Sequence, residues 1–95
     1  MAIRIRIIDD LSCPVIECDH CGKVIERSGN YEWKPDGDGM IYFTHKRCCR
    51  AFENEHGGRS AWFCNEVDCL PVHLLNNLGI KYKDAAAKVG RLAEL

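Results

Sequence analysis

The sequence predicts a small α+β fold from three observations. The N-terminus alternates with a period of two, two aromatic and β-branched runs flank a turn-rich hexapeptide, and the later segments carry apolar residues at helical spacing. In residues 3–8, Ile3, Ile5 and Ile7 alternate with Arg4 and Arg6, the pattern of a half-buried strand. Residues 14–17 read as a short extended lead into Cys18. Residues 31–33 and 40–44 flank the turn residues of 34–39, which predicts a hairpin. From His45 to about Glu55 the spacing is helical, with Cys48, Ala51, Phe52 and Glu55 on one stripe and Gly57-Gly58 as the stop. Residues 60–64 predict a short strand. Asp68 then caps a helix running to Leu78, with Leu70, Leu74, Leu75 and Leu78 as its buried face and Gly79 as its end. A last helix from about Asp84 places Ala85, Ala86, Val89 and Leu92 at helical spacing, so residues 68–95 form a helical hairpin.

With 95 residues, 46% of them hydrophobic and 28% charged, residues 1–95 read as a single domain. A chain of this length buries only about 60–65% of its unfolded surface, which leaves a thin stability margin. The N-terminus has no continuous apolar stretch of the signal-peptide kind, and no segment approaches 18 apolar residues. Seven cysteines, an odd number, cannot complete an internal disulfide framework. Together these features predict a cytoplasmic protein without membrane association, whose clustered thiols hold metal. A formal net charge of −1 argues against a generic polyanion binder.

Cys18-Asp-His-Cys21-Gly is a C-x-x-C followed by glycine. Two residues between the thiols let the chain curl into a knuckle with both sulfurs facing one point, and the small residue behind admits the tight turn. After 23 intervening residues comes His45-Lys-Arg-Cys48, whose spacing puts an imidazole and a thiolate on one side of a helix start. Cys18, Cys21, His45 and Cys48 therefore form a closed four-ligand set for one structural Zn²⁺. Cys49 competes with Cys48, since it also shares a side with His45; the x-x spacing and the stripe with Phe52 favour Cys48. His20, inside the knuckle, is expected to face solvent. The order knuckle, hairpin, helix resembles a treble-clef zinc finger, and the ligand pattern is similar to the first half of a LIM domain. The resemblance implies a treble-clef core over about residues 14–57, with an N-terminal strand before it and the helical hairpin after it. The second ligand set of a LIM domain does not follow Cys48, and the four cysteines and basic tail of GATA-type fingers are absent.

The remaining thiols read differently. Cys64, Cys69 and His73, completed by Cys13 or His56, would make a second metal set, but Cys64 follows Trp62-Phe63 in an apolar run and is better read as a packing thiol. Cys13 and Cys49 are expected to be core or surface thiols. A closed zinc site offers no open position for chemistry, and no H-E-x-x-H, phosphate-binding loop or deaminase signature is present, so no enzyme activity is expected. Asp36-Gly-Asp-Gly39 lacks the first and last acidic ligands of a calcium loop and reads as a turn.

Two partner classes follow. One is another protein, which makes the chain an interaction or regulatory module. Tyr31, Trp33, Tyr42 and Trp62 would form its exposed platform, although each taken singly is explained by packing over the hairpin. The alternative is DNA or RNA, read from the helix-turn-helix rhythm of residues 74–92 with Lys81, Lys83, Lys88 and Arg91. That second helix offers alanines where base-reading side chains are wanted.

Overall fold

A computed structural model describes residues 3–93, the side chains of 91–93 excepted, so the expected packing of Leu92 lies outside the described residues. The elements follow as β1 (Ile3–Ile8), β2 (Leu11–Ile16), β3 (Asn30–Trp33), β4 (Tyr42–Thr44), α1 (Lys46–Glu55), β5 (Phe63–Glu66), α2 (Leu70–Leu78) and α3 (Tyr82–Ala93). Single 3₁₀ turns at Arg59–Ala61 and Val67–Cys69 bracket β5. The class is α+β, with one antiparallel ribbon, β1-β2, and one antiparallel sheet in the order β4-β3-β5.

The ribbon departs from expectation twice. Residues 14–17 were expected as a mere lead; instead β2 begins at Leu11 and pairs along its whole length, from Ile8 opposite Leu11 to Ile3 opposite Ile16. The turn is made by Asp9 and Asp10, both at positive φ, 51° and 65°. A two-residue hairpin needs that conformation, and aspartate tolerates it. Pro14 is accommodated because each strand of a two-stranded ribbon has a free edge. The half-buried strand is also corrected: every residue of β1 is exposed, Ile5 at 65% and Ile7 at 69%. Among the described residues nothing covers the isoleucine face, while Arg4 and Arg6 turn to the other face and both ion-pair with Glu17. This ribbon helps stretch the protein to 46 × 34 × 20 Å.

The β3 strand divides two environments, as its pleat requires. On one face Tyr31, opposite Phe43, packs with Leu70, and Ile16, Ile25, Trp33 and Val67 close around them. On the other face Glu32 lies opposite both Tyr42 and Cys64, and α1 lies over it. Phe52 of α1 is the apolar anchor there, its ring 5.5 Å from Tyr42 and 5.3 Å from Trp62. The buried side of α1 is Cys48, Phe52 and Glu53; Ala51 and Glu55, expected on that stripe, are exposed. The stripe is rotated because Glu53 faces the sheet at the polar residues of β3 and β5.

After α1 the chain turns at Gly57-Gly58. The strand expected over 60–64 begins only at Phe63, because residues 59–61 are used for the 3₁₀ turn. The β5 strand then pairs with β3 from Trp33 opposite Phe63 to Asn30 opposite Glu66. Asp68 sits within the second 3₁₀ turn and makes no cap; α2 starts at Leu70 with a proline in its first turn. Gly79 ends α2 at φ 75°, and the Ile80 N–H reaches back to the Leu75 carbonyl at 2.9 Å, a Schellman-type stop that only glycine adopts at low cost. Of the expected buried face, Leu70 is buried and Leu75 half-buried, whereas Leu74 and Leu78 are exposed. On α3, Ala85 is half-buried, and Ala86 and Val89 are exposed. A single helix–helix contact cannot cover two apolar stripes in so small a chain. The four aromatics expected as a platform are instead buried or half-buried, and Tyr31 stacks on Trp33 at 5.5 Å.

Candidate metal centre

The Cys18 side chain enters from the end of β2. The Ile25 N–H donates to the Ile16 carbonyl at 2.7 Å and the Cys18 N–H to the Lys23 carbonyl at 2.8 Å, so residues 16–25 fold back on themselves. The Gly22 N–H closes the turn on the Cys18 carbonyl at 2.9 Å, with Gly22 at φ 78°. Within this knuckle the N–H groups of His20 and Cys21 point at Cys18 Sγ, 3.4 and 3.5 Å away. Sequence reading overlooked Asp19. Its N–H donates to the Phe43 carbonyl and its carboxylate accepts from the Phe43 N–H, both at 2.7 Å, which clamps the knuckle onto β4.

The clamp sets the knuckle against the junction of β4 and α1, where His45 is the residue before the helix and Cys48 lies in its first turn. The His45 ring spans the site: Nδ1 lies 3.4 Å from Cys21 Sγ, and Nε2 lies 3.1 Å from the Val24 carbonyl. The ligand atoms of Cys18, Cys21, His45 and Cys48 all fall within 4.8 Å of one another, so the four residues lie close enough to hold a metal ion. Three of them, Cys18, His45 and Cys48, are buried, and Cys21 is exposed.

Electrostatics fit an ion at this point. Desolvation works against the Cys18 thiolate, but the N–H groups of Cys21, His45 and His20, with the His45 ring, outweigh it and bring the thiol down to about 6. Burial first, and then the neighbouring Cys18 and Cys21, push Cys48 up to about 11. One thiolate is favoured and a second is resisted, a conflict that a dication relieves. Three cysteine sulfurs and one imidazole nitrogen are donor types that hold transition-metal ions, and the Val24 carbonyl lies where it orients the histidine ring from outside.

Other expected residues fall elsewhere. Cys49 does not join the four; it faces the sheet, with its thiol 3.4 Å from Glu53 Oε2. His20 Nδ1 lies 3.7 Å from Glu55 at the surface. Cys64, Cys69 and His73 are not brought together as a metal set. The His73 Nδ1 pairs with the Tyr31 hydroxyl at 2.9 Å, and Cys69 is exposed. Cys64 is exposed as well, not a core thiol, and its sulfur lies within 4.8 Å of the ligand atoms of Cys49 and Glu53.

A further feature escaped sequence reading altogether. Glu32 is fully buried, its Oε1 accepting from the Thr44 hydroxyl. Burial and then the Glu53 carboxyl beside it push Glu32 up to about 7, against smaller lowering effects of Thr44 and Cys49. Its neighbours in sequence, Tyr31 and Trp33, announce a strand but not which of its faces is closed. Among the described residues no helix is long and apolar enough to cross a membrane.

No family model matches the sequence, and no curated protein or solved structure resembles it closely enough to count as a match.

Proposed function

We propose that the chain is a small zinc protein in which Cys18, Cys21, His45 and Cys48 hold one structural Zn²⁺ at the centre of a treble-clef arrangement of knuckle, hairpin and helix. The observation that carries this reading is the convergence of the four ligand atoms within 4.8 Å. The ion's work is folding. Among the described residues the buried hydrophobics are few, Tyr31, Phe43, Phe52 and Leu70 with Cys18 and Cys48, and a structural zinc contributes about 10–16 kcal/mol of apparent binding energy. Four protein ligands close the coordination sphere, which favours a non-catalytic role, and the free thiols favour a reducing, cytoplasmic setting.

A protein-interaction or regulatory role is favoured by what zinc leaves uncovered. Ile3, Ile5 and Ile7 share one exposed ribbon face, and Leu74, Leu78, Ile80 and Val89 are exposed on the helical hairpin. The same hairpin exposes Lys81, Lys83 and Lys88, which supports nucleic-acid contact as a second reading.

Chelation of the purified protein tests the first proposal: removal of the ion from this cluster is expected to abolish the folded circular-dichroism signal, and zinc to restore it. A fold indifferent to chelation overturns it. For partners, Ile5→Asp with Ile7→Asp is expected to abolish capture of a specific protein, whereas Lys81→Glu with Lys83→Glu is expected to leave it intact. Salt-sensitive duplex binding that only the lysine changes remove establishes the second reading instead.

A further inference from the structure

We infer that Cys49, Glu53 and Cys64, with the buried Glu32 beside them, form a second metal site, distinct from the Cys18 cluster, that takes a borderline-soft divalent transition ion such as Zn²⁺. The placement follows from two rigid pairs. Cys49 and Glu53 stand four residues apart on α1, one turn above another, so their side chains share one side of the helix. Glu32 and Cys64 lie directly opposite each other across β3 and β5, on the sheet face that α1 covers. The atoms of Cys49, Glu53 and Cys64 converge within 4.8 Å, with the Cys49 sulfur 3.4 Å from Glu53 Oε2. Because Cys48 and Cys49 are successive residues of α1, they point about 100° apart, and one helical turn serves two centres.

Two buried acids that face each other need either a shared proton or a cation beside them. Glu32 is 0% exposed and Glu53 4%, yet these two acids come from facing elements and interact with each other. Glu32 spends one oxygen on Thr44, and its Oε2 is buried with no hydrogen-bond partner. Such an orphaned acceptor is costly and rare in native interiors. The cation nearby is Arg59, 3.6 Å from Glu53 and itself 62% exposed, and it contacts one acid of the two. A dication among the two sulfurs and the Glu53 carboxylate offsets the charge of the paired buried acids.

The donor set narrows the ion. Two thiolates disfavour the hard Mg²⁺ and Ca²⁺, which take all-oxygen shells. Two carboxylates disfavour Cu(I), which prefers sulfur throughout. An ion that takes mixed sulfur and oxygen ligands remains, and exposed Cys64 gives it a path from solvent. The competing account is that Glu32 and Glu53 share a single proton and bind nothing.

Elemental analysis with native mass spectrometry of the full chain, loaded with Zn²⁺ and dialysed against zinc-free buffer, separates the two. Two ions per chain are expected in the wild type and one in Cys64→Ser, with the circular-dichroism spectrum unchanged. Glu32→Gln, a second probe, is expected to yield its second ion to a chelator at a concentration about 10-fold lower or less. A wild type that holds one ion overturns the second site and leaves the Cys18 cluster standing, as does a Cys64→Ser protein that still holds two. A wild type that holds none overturns both.

Discussion

The His45 ring reaches the Val24 carbonyl with its outer nitrogen, 3.1 Å away, while its inner nitrogen faces Cys21 at 3.4 Å. Val24 belongs to the strand-like return of the knuckle, paired with Glu17. The backbone that carries the first two thiols therefore also orients the third ligand. The histidine is consequently not equivalent to a fourth cysteine. His45→Cys keeps four ligands but loses the contact to Val24, and it is expected to fold with zinc while binding it about 10–100-fold more weakly. His45→Ala, with three ligands, is expected to melt well below the wild type. Competition against a chromophoric chelator measures both; equal affinity of wild type and His45→Cys would show that the Val24 contact does not matter.

Cys18 and Cys64 separate structural from peripheral thiols. Cys18 is 3% exposed, accepts two knuckle N–H groups and sits among all the other ligands of the first site. Cys64 lies exposed on the edge strand β5. Cys18→Ser is expected to unfold the chain, and Cys64→Ser, at an exposed position, to keep the fold at a cost of about 0.5 kcal/mol or less. Thermal melts of the zinc-loaded variants give the comparison, and equal melting would count against the assignment.

Legibility in the sequence tracked how local each signal was. The C-x-x-C, its glycine, the hairpin turn and the H-x-x-C are short patterns whose geometry is set within a few residues, and they pick out the four residues that the fold brings within 4.8 Å of one another. The expected burial failed where it depended on a distant partner. Alternation at Ile3, Ile5 and Ile7 is the same pattern whether a layer covers the strand or none does. The leucine spacing of α2 likewise defines a helix without saying how much of it another element will cover. Glu32 and Cys64 are 32 positions apart in sequence, and only the pairing of β3 with β5 sets them opposite each other. Cys49 beside Cys48 looked like a rival ligand because a sequence cannot show that α1 has something to face on two sides.

Gly22 occupies a left-handed position, φ 78°, with no atom near enough to clash with an added methyl group. The cost of Gly22→Ala is therefore backbone strain alone, expected at about 1–2 kcal/mol. Because the Gly22 N–H closes the knuckle on Cys18, the loss should appear as both a lower melting temperature and weaker zinc retention. A Gly22→Ala protein with wild-type zinc affinity would show that the knuckle forms without this turn.

Phe52 fills the space between α1 and the sheet, 2% exposed and in contact with the rings of Tyr42, Trp62 and His56. Truncation leaves a void that neither the helix nor the three-stranded sheet can collapse into without disturbing Cys48 and Cys49. Phe52→Ala is expected to cost about 3–5 kcal/mol, and Phe52→Leu much less. Denaturant unfolding of the zinc-loaded proteins measures the difference.

Tyr31 and His73 tie α2 to the central sheet. The Tyr31 ring is 1% exposed in the apolar core, and its hydroxyl meets His73 Nδ1 at 2.9 Å. This contact matters more than one hydrogen bond ordinarily would, because Leu70 is the only buried side chain of α2 and Leu74 and Leu78 face outward. Tyr31→Phe is expected to cost about 1 kcal/mol, through the lost bond and the ring nitrogen it leaves unpaired. His73→Ala should cost more, since its ring also lies edge-on to Trp33, 6.0 Å between centroids. In the double variant the hydroxyl and the nitrogen disappear together, so its loss is expected to fall short of the sum by about 0.5–1.5 kcal/mol. Strictly additive losses in a denaturant cycle would mean that the two side chains do not interact, leaving Leu70 and the 3₁₀ turn before it to hold α2 in place.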